Sequence, residues 1–163
     1  MTGKVLDHAL PGFQASGITN AYTQDVLNID FGSIDQTAGV QSFTYNLLNL
    51  ASQVYGPGLT AGLDFTGVTA DGSGFASGLS TFNNLVGGGT SSLFSLTFTP
   101  TGQGTFSKSF SLSFFDNTNL AGATARRDLT INAQVVVVPE PGAVALAGIG
   151  IAAAAWALRR RST

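Results

Sequence analysis

Residues 106–114 read FSKSFSLSF. Phe106, Phe110, Leu112 and Phe114 share one side of an extended chain and Ser107, Ser109, Ser111 and Ser113 the other, because successive side chains of a strand point to opposite faces. Such alternation predicts a half-buried β-strand. The same period of two recurs through most of the chain before residue 138. Leu27, Ile29 and Phe31 alternate with Asn28 and Asp30; Phe43, Tyr45 and Leu47 with Thr44 and Asn46; Phe94, Leu96 and Phe98 with Ser95, Thr97 and Thr99. Leu129, Ile131, Ala133, Val135 and Val137 alternate with Thr130, Asn132, Gln134 and Val136, and the stretch 59–68 places Leu63 and Phe65 on one face. Between these runs stand Gly56-Pro57-Gly58, Asp71-Gly72-Ser73-Gly74, Gly87-Gly88-Gly89 and Pro100-Thr101-Gly102, the residue types that tight turns require. About six or seven such strands predict an all-β fold, an antiparallel β-sandwich around one aromatic-rich core. Lys108 falls on the apolar side of its strand and is expected to mark a sheet edge guarded by an inward-pointing charge.

Composition fits that architecture. The chain has 163 residues, of which 10% are charged, low for a cytosolic enzyme and compatible with a β-rich extracellular domain. Before Val138 four Lys/Arg face eight aspartates, so the domain is mildly acidic and carries no basic patch for nucleic acid. With no cysteine, disulfides and thiolate metal sites are excluded.

The candidate catalytic and metal groups are sparse. Asp116, Asn117 and Asn119, with Asp71 elsewhere, offer oxygen ligands of the kind calcium takes, but Leu120 breaks the EF-hand pattern and no glutamate closes it. Turn formation accounts for them better. His8 is the single histidine, expected in a solvated start of the chain, which leaves a His-dependent triad without support. Arg126-Arg127 is expected to lead into the last strand and pair with Asp128 or Asp116. Gly148-Ile149-Gly150 with Ala153 imitates a dinucleotide fingerprint, yet prolines intervene after the strand and no ribose-binding acid follows. No catalytic residue, metal ligand or cofactor is expected. The serine face from Ser107 to Ser113 is open to two readings, a sugar-binding or O-glycosylated surface and a simple water-facing one.

The last 26 residues, VPEPGAVALAGIGIAAAAWALRRRST from Val138, have a different order of parts. Pro139 and Pro141 lack a backbone donor and hold Val138 and Glu140 extended. Glu140 is the one glutamate of the chain. An apolar run follows to Leu158, predicted as a helix over 142–158 about 25 Å long, marginal against a hydrocarbon core of about 30 Å. Trp156 suits the membrane interface, and Arg159, Arg160 and Arg161 stop the span and keep it oriented with the preceding domain outside. A buried C-terminal helix of a soluble domain and a tail-anchored cytosolic topology are the competing readings. Export requires an N-terminal signal, and residues 1–17 contain no apolar stretch of about 7–15 residues, so the segment 1–25 is expected to be the remnant of a longer start.

Val138-Pro139-Glu140-Pro141, the short span and the arginine cluster resemble the PEP-CTERM sorting signal of Gram-negative bacteria. That resemblance implies an exosortase, a membrane-embedded processing enzyme, as partner. It further implies export, transient anchoring in the inner membrane, and a final place at the cell surface or in the extracellular matrix beside exopolysaccharide. Residues 28–34, 40–44 and the 98–106 hairpin are similar to the immunoglobulin-like domains of choice-of-anchor surface proteins, which implies a fold and no activity. The expected organisation is therefore an N-terminal segment 1–25, an immunoglobulin-like sandwich 26–137, and a sorting segment 138–163 made of motif 138–141, helix 142–158 and basic tail 159–163. The expected function is that of a non-enzymatic surface or matrix protein. The alternative is a carbohydrate-binding module or the C-terminal part of a secreted hydrolase whose catalytic region lies upstream.

Overall fold

The computed structural model describes residues 5–140 and 142. Nine strands build it: β1 (Pro11–Gln14), β2 (Val26–Asp35), β3 (Gln41–Asn49), β4 (Leu63–Val68), β5 (Phe75–Ser77), β6 (Phe82–Leu85), β7 (Phe94–Phe98), β8 (Gly104–Asp116) and β9 (Leu129–Val138), with one 3-10 turn at Pro57–Leu59. They form two sheets, one ordered β1-β3-β7-β5 and the other β2-β9-β8-β4-β6. The six long alternating runs all become strands, the 59–68 stretch only from Leu63 onward, since Leu59 closes the 3-10 turn. The short β1, β5 and β6 were not foreseen, because three or four residues carry too little alternation to stand out. β1 precedes residue 26 and pairs with β3, Phe13 opposite Leu47, so the folded domain begins well before that boundary.

Alternation decides what is buried. Phe110, Leu112 and Phe114 of β8, Leu129, Ile131 and Val135 of β9, and Leu96 and Phe98 of β7 are all nearly inaccessible. Aromatic rings pack within and between the sheets: Phe75 and Phe98 lie 4.8 Å apart and Phe65 and Phe114 5.2 Å as cross-strand neighbours, while Phe98–Phe106 at 5.5 Å and Phe31–Phe75 at 6.1 Å between centroids join one sheet to the other. Truncating one such ring to alanine costs roughly 3–5 kcal/mol.

Two features depart from a simple antiparallel sandwich. The strand pairs are antiparallel with one exception: β2 runs parallel to β9, Leu27 opposite Ile131 and Ile29 opposite Ala133. A bulge between Asp30 and Ser33 interrupts this pair, and Gly32 within it has φ of +71°, a conformation that disfavours any side chain. Lys108 corrects another expectation, since β8 lies inside the five-stranded sheet. Its first half is nevertheless paired only with β9 among the described residues, because β4 meets β8 from Leu112 onward. The Lys108 ammonium sits over the Phe110 ring, 5.8 Å from its centre.

Candidate functional site

β9 delivers the C-terminal motif. It is held on both sides to its end, with Val137 opposite both Ile34 and Gly104, and Val138 opposite Asp35. The Gln36 N–H donates to the Val138 carbonyl at 3.0 Å. Pairing stops there for a chemical reason, since Pro139 has no N–H to continue a ladder. Pro139 and Glu140 are exposed directly after the last paired residue. Of the other residues singled out by sequence, Pro141, Trp156 and Arg159 to Arg161 lie outside the described residues, as does the predicted helix apart from Gly142. Among the described residues, no helix is long and apolar enough to cross a membrane.

The outward face of β2, β9 and β8 carries a polar grid. In one row Asn28, Asn132 and Ser109 stand opposite one another across three strands. Ser109 Oγ donates to Asn132 Oδ1 at 2.7 Å, and Asn132 Nδ2 donates to Asn28 Oδ1 at 3.1 Å. The next row is Asp30, Gln134 and Ser107, in which Gln134 Nε2 donates to Asp30 Oδ2 at 2.9 Å. The Gly32 N–H at 2.8 Å, followed by the Gln134 amide, holds the Asp30 carboxyl below its ordinary value. A third row sets Ser33 and Thr105 on either side of Val136. A groove of about 470 Å³ lies over the first two rows, and one of about 240 Å³ over the second and third. They share Asp30 and Gln134, which makes one trough along the strands.

A second polar centre is structural. Asp116 is buried, and its Oδ1 accepts the Ala9 N–H at 2.9 Å. Its Oδ2 meets His8 Nδ1 at 2.8 Å and accepts the Thr124 N–H and hydroxyl, each at 3.2 Å, while Arg126 Nε stands 3.6 Å from Oδ1. Burial alone would raise this carboxyl. The Ala9 N–H, the His8 ring, the Thr124 N–H and the Arg126 charge together outweigh it and set it below the usual value. His8 is thus no free loop residue; it fastens the start of the chain to the end of β8.

Asn117 Oδ1 accepts the Asn119 N–H, and Asp71 Oδ1 accepts the Ser77 N–H, the local turn bonding expected in place of calcium ligation. No group of three metal-ligating side chains occurs among the described residues. Arg126 reaches Asp116, as one of the two sequence alternatives had it. Arg127 binds Asp25 at 2.6 Å and also donates to the carbonyls of Pro11, Ala21 and Tyr22. Sequence reasoning missed this clamp and the buried Asn49, whose amide joins Leu10 N–H, Ala61 O and Leu85 O. No local pattern marks either, because every partner is distant in the chain.

Residues 137–161 match the family model of the PEP-CTERM protein-sorting motif. The match supports exosortase-dependent sorting of an exported protein. A search of curated proteins finds no match to the chain. Among solved structures, a Vibrio cholerae protease, VesB, is similar at 18% identity with a TM-score of 0.47. That similarity covers 68% of this chain and 30% of the protease, so the chain spans less than a third of it. WR4, an MSP family member of C. elegans, is similar at 10% identity and TM-score 0.41, over 70% of this chain and 93% of that one. The ASH/PapD-like domain 7 of human CEP192 is similar at 12% and 0.42, over 79% and 87% of the two chains.

Proposed function

We propose that the chain is a non-enzymatic exported surface or matrix protein, in which an immunoglobulin-like sandwich is the cargo and the segment from Val138 onward is the handle an exosortase recognises and processes. The observation that carries this reading is the motif match at 137–161, which begins in the last residues of β9. Processing enzymes bind extended backbone, and the two prolines keep the segment extended and unpaired. Pro139 and Glu140 stand free of the sheet, so the handle can be engaged without unfolding β9.

On this reading the apolar run up to Leu158 inserts as a short, marginal span, Trp156 settles at the interface, and Arg159 to Arg161 remain inside. A span of that kind is a removable anchor. The domain sits outside the inner membrane during processing and afterwards resides at the surface or in the matrix beside exopolysaccharide.

The test is the double substitution Pro139→Ala/Pro141→Ala, expressed in the native host with and without its exosortase. Intact mass spectrometry reads the mature C-terminus, and surface biotinylation reads delivery. Loss of both in the variant and in the exosortase-deficient strain is expected. An unchanged C-terminus with normal surface delivery overturns the sorting assignment.

A further inference from the structure

Asparagine and aspartate are poor strand residues, because their side chains compete for nearby backbone groups. Asn28, Asp30 and Asn132 nevertheless occupy mid-strand positions on one outward face, in adjacent strands. Local choices that run against the fold are expected at functional sites. The outward face of the other sheet is different: Ser42, Thr44, Ser95 and Thr97 are small or β-favouring, and its Asn46 is spent on the Ser91 carbonyl.

The polar side chains of the trough are also ordered in advance. Cross-strand bonds fix Asn28 to Asn132 to Ser109, and Asp30 to Gln134, which reduces the entropy lost when a ligand binds. Each keeps capacity to spare, since an amide has two donors and an acceptor with two lone pairs, and a carboxylate has about four acceptor sites. The face thus presents donors and acceptors side by side, with Val136 at one end as an apolar contact 41% exposed. Of the two charged residues that line it, Asp30 and Lys108, Asp30 belongs to the outward rows, whereas the Lys108 ammonium is drawn over the Phe110 ring. Anionic ligands therefore find repulsion there, and vicinal hydroxyls find partners. From Asn132 to Val136 the trough runs about 13 Å along β9, longer than a single sugar ring.

We infer that the outward face of β2, β9 and β8 is a binding site for an uncharged polysaccharide, which lies along the strands with its hydroxyls on the Asn28-Asn132-Ser109 and Asp30-Gln134-Ser107 rows. This deepens the proposed function by giving the displayed domain a ligand class. It rests on that reading only for where the ligand is met, because binding is measured on the protein alone.

The test is affinity electrophoresis of the full-length protein in mild non-ionic detergent, in native gels containing dextran, laminarin or hydroxyethylcellulose, with alginate as the anionic comparison. Asn132→Thr/Gln134→Thr removes both amides while favouring the strand, so folding is retained, as the thermal unfolding midpoint checks. Ser95→Ala/Thr97→Ala alters the opposite face. Retardation by at least one neutral polymer is expected, weakened tenfold or more in the Asn132/Gln134 variant and unchanged in the Ser95/Thr97 variant. Absence of retardation in all three neutral gels, stronger retardation in alginate, or equal retardation of wild type and the Asn132/Gln134 variant overturns the inference. None of these results alters the mature C-terminus, so failure of the site and failure of the sorting assignment are read separately.

Discussion

Replacing Asp116 by asparagine changes almost nothing in size and should still damage the fold. Both carboxylate oxygens accept backbone N–H groups, Oδ1 from Ala9 and Oδ2 from Thr124. Whichever way an amide is turned, its NH2 meets one of these donors. One N–H then lacks an acceptor in a site where the side chain is 3% exposed, at a cost of about 1–3 kcal/mol. The Arg126 guanidinium loses its counter-charge as well, which brings the expected loss to about 3 kcal/mol. In urea this corresponds to a fall in the unfolding midpoint of roughly 1.5 M. The pH dependence supplies a second reading. Because the folded carboxyl lies below its ordinary value of 3.8, the unfolded chain binds the proton first. The stability from Asp116 is then full above about pH 4 and lost as pH falls through the lowered folded value. Urea unfolding of wild type and Asp116→Asn between pH 2.5 and 7 should therefore converge at the acid end. A variant within 0.5 kcal/mol of wild type at pH 7, as an order-of-magnitude bound for an ordinary surface change, or an equally wide gap at pH 2.5, would refute the reasoning.

Other outcomes follow from single side chains. Tyr45 is 1% exposed and its hydroxyl has no hydrogen-bond partner among the described residues. Tyr45→Phe is therefore expected to raise stability by about 1 kcal/mol, seen as a melting temperature higher by roughly 4 °C. Arg127→Lys keeps the charge but cannot reach Asp25 and three carbonyls together; a loss of about 2 kcal/mol is expected. Faster hydrogen exchange should accompany it in β1 and residues 20–25. Asn49→Ala strands the Leu10 N–H and the Ala61 and Leu85 carbonyls. Chemical denaturation should register a loss of about 3 kcal/mol or more, whereas a change at an exposed position such as Ser42→Ala should stay within about 0.5 kcal/mol.

Much of the inward and outward sorting was legible without coordinates. Phe106, Phe110, Leu112 and Phe114 opposite four serines can satisfy one buried and one wet face in only one way, whatever strand lies alongside. The C-terminal segment was legible for a similar reason, since proline chemistry and apolar length are local properties. The partners of Asp116, Arg127 and Asn49 were not, because a buried polar side chain is defined by groups that can stand a hundred residues away. Asn28, Asp30, Asn132 and Gln134 were recognisable as outward residues of two strands. Nothing in either strand said that the two would be neighbours.

The sequence by itself determined the β class, the apolar inward face of the six long strands, and the change of character at Val138, because alternation, turn chemistry and proline act over a few residues. Only the tertiary structure decided that β2 lies parallel to β9, that β1 and His8 belong to the folded domain, and that three polar rows meet over one trough. The physical reason is that strand alternation has the same period in either direction and with any partner. Direction and neighbour are chosen by the packing of both sheets at once.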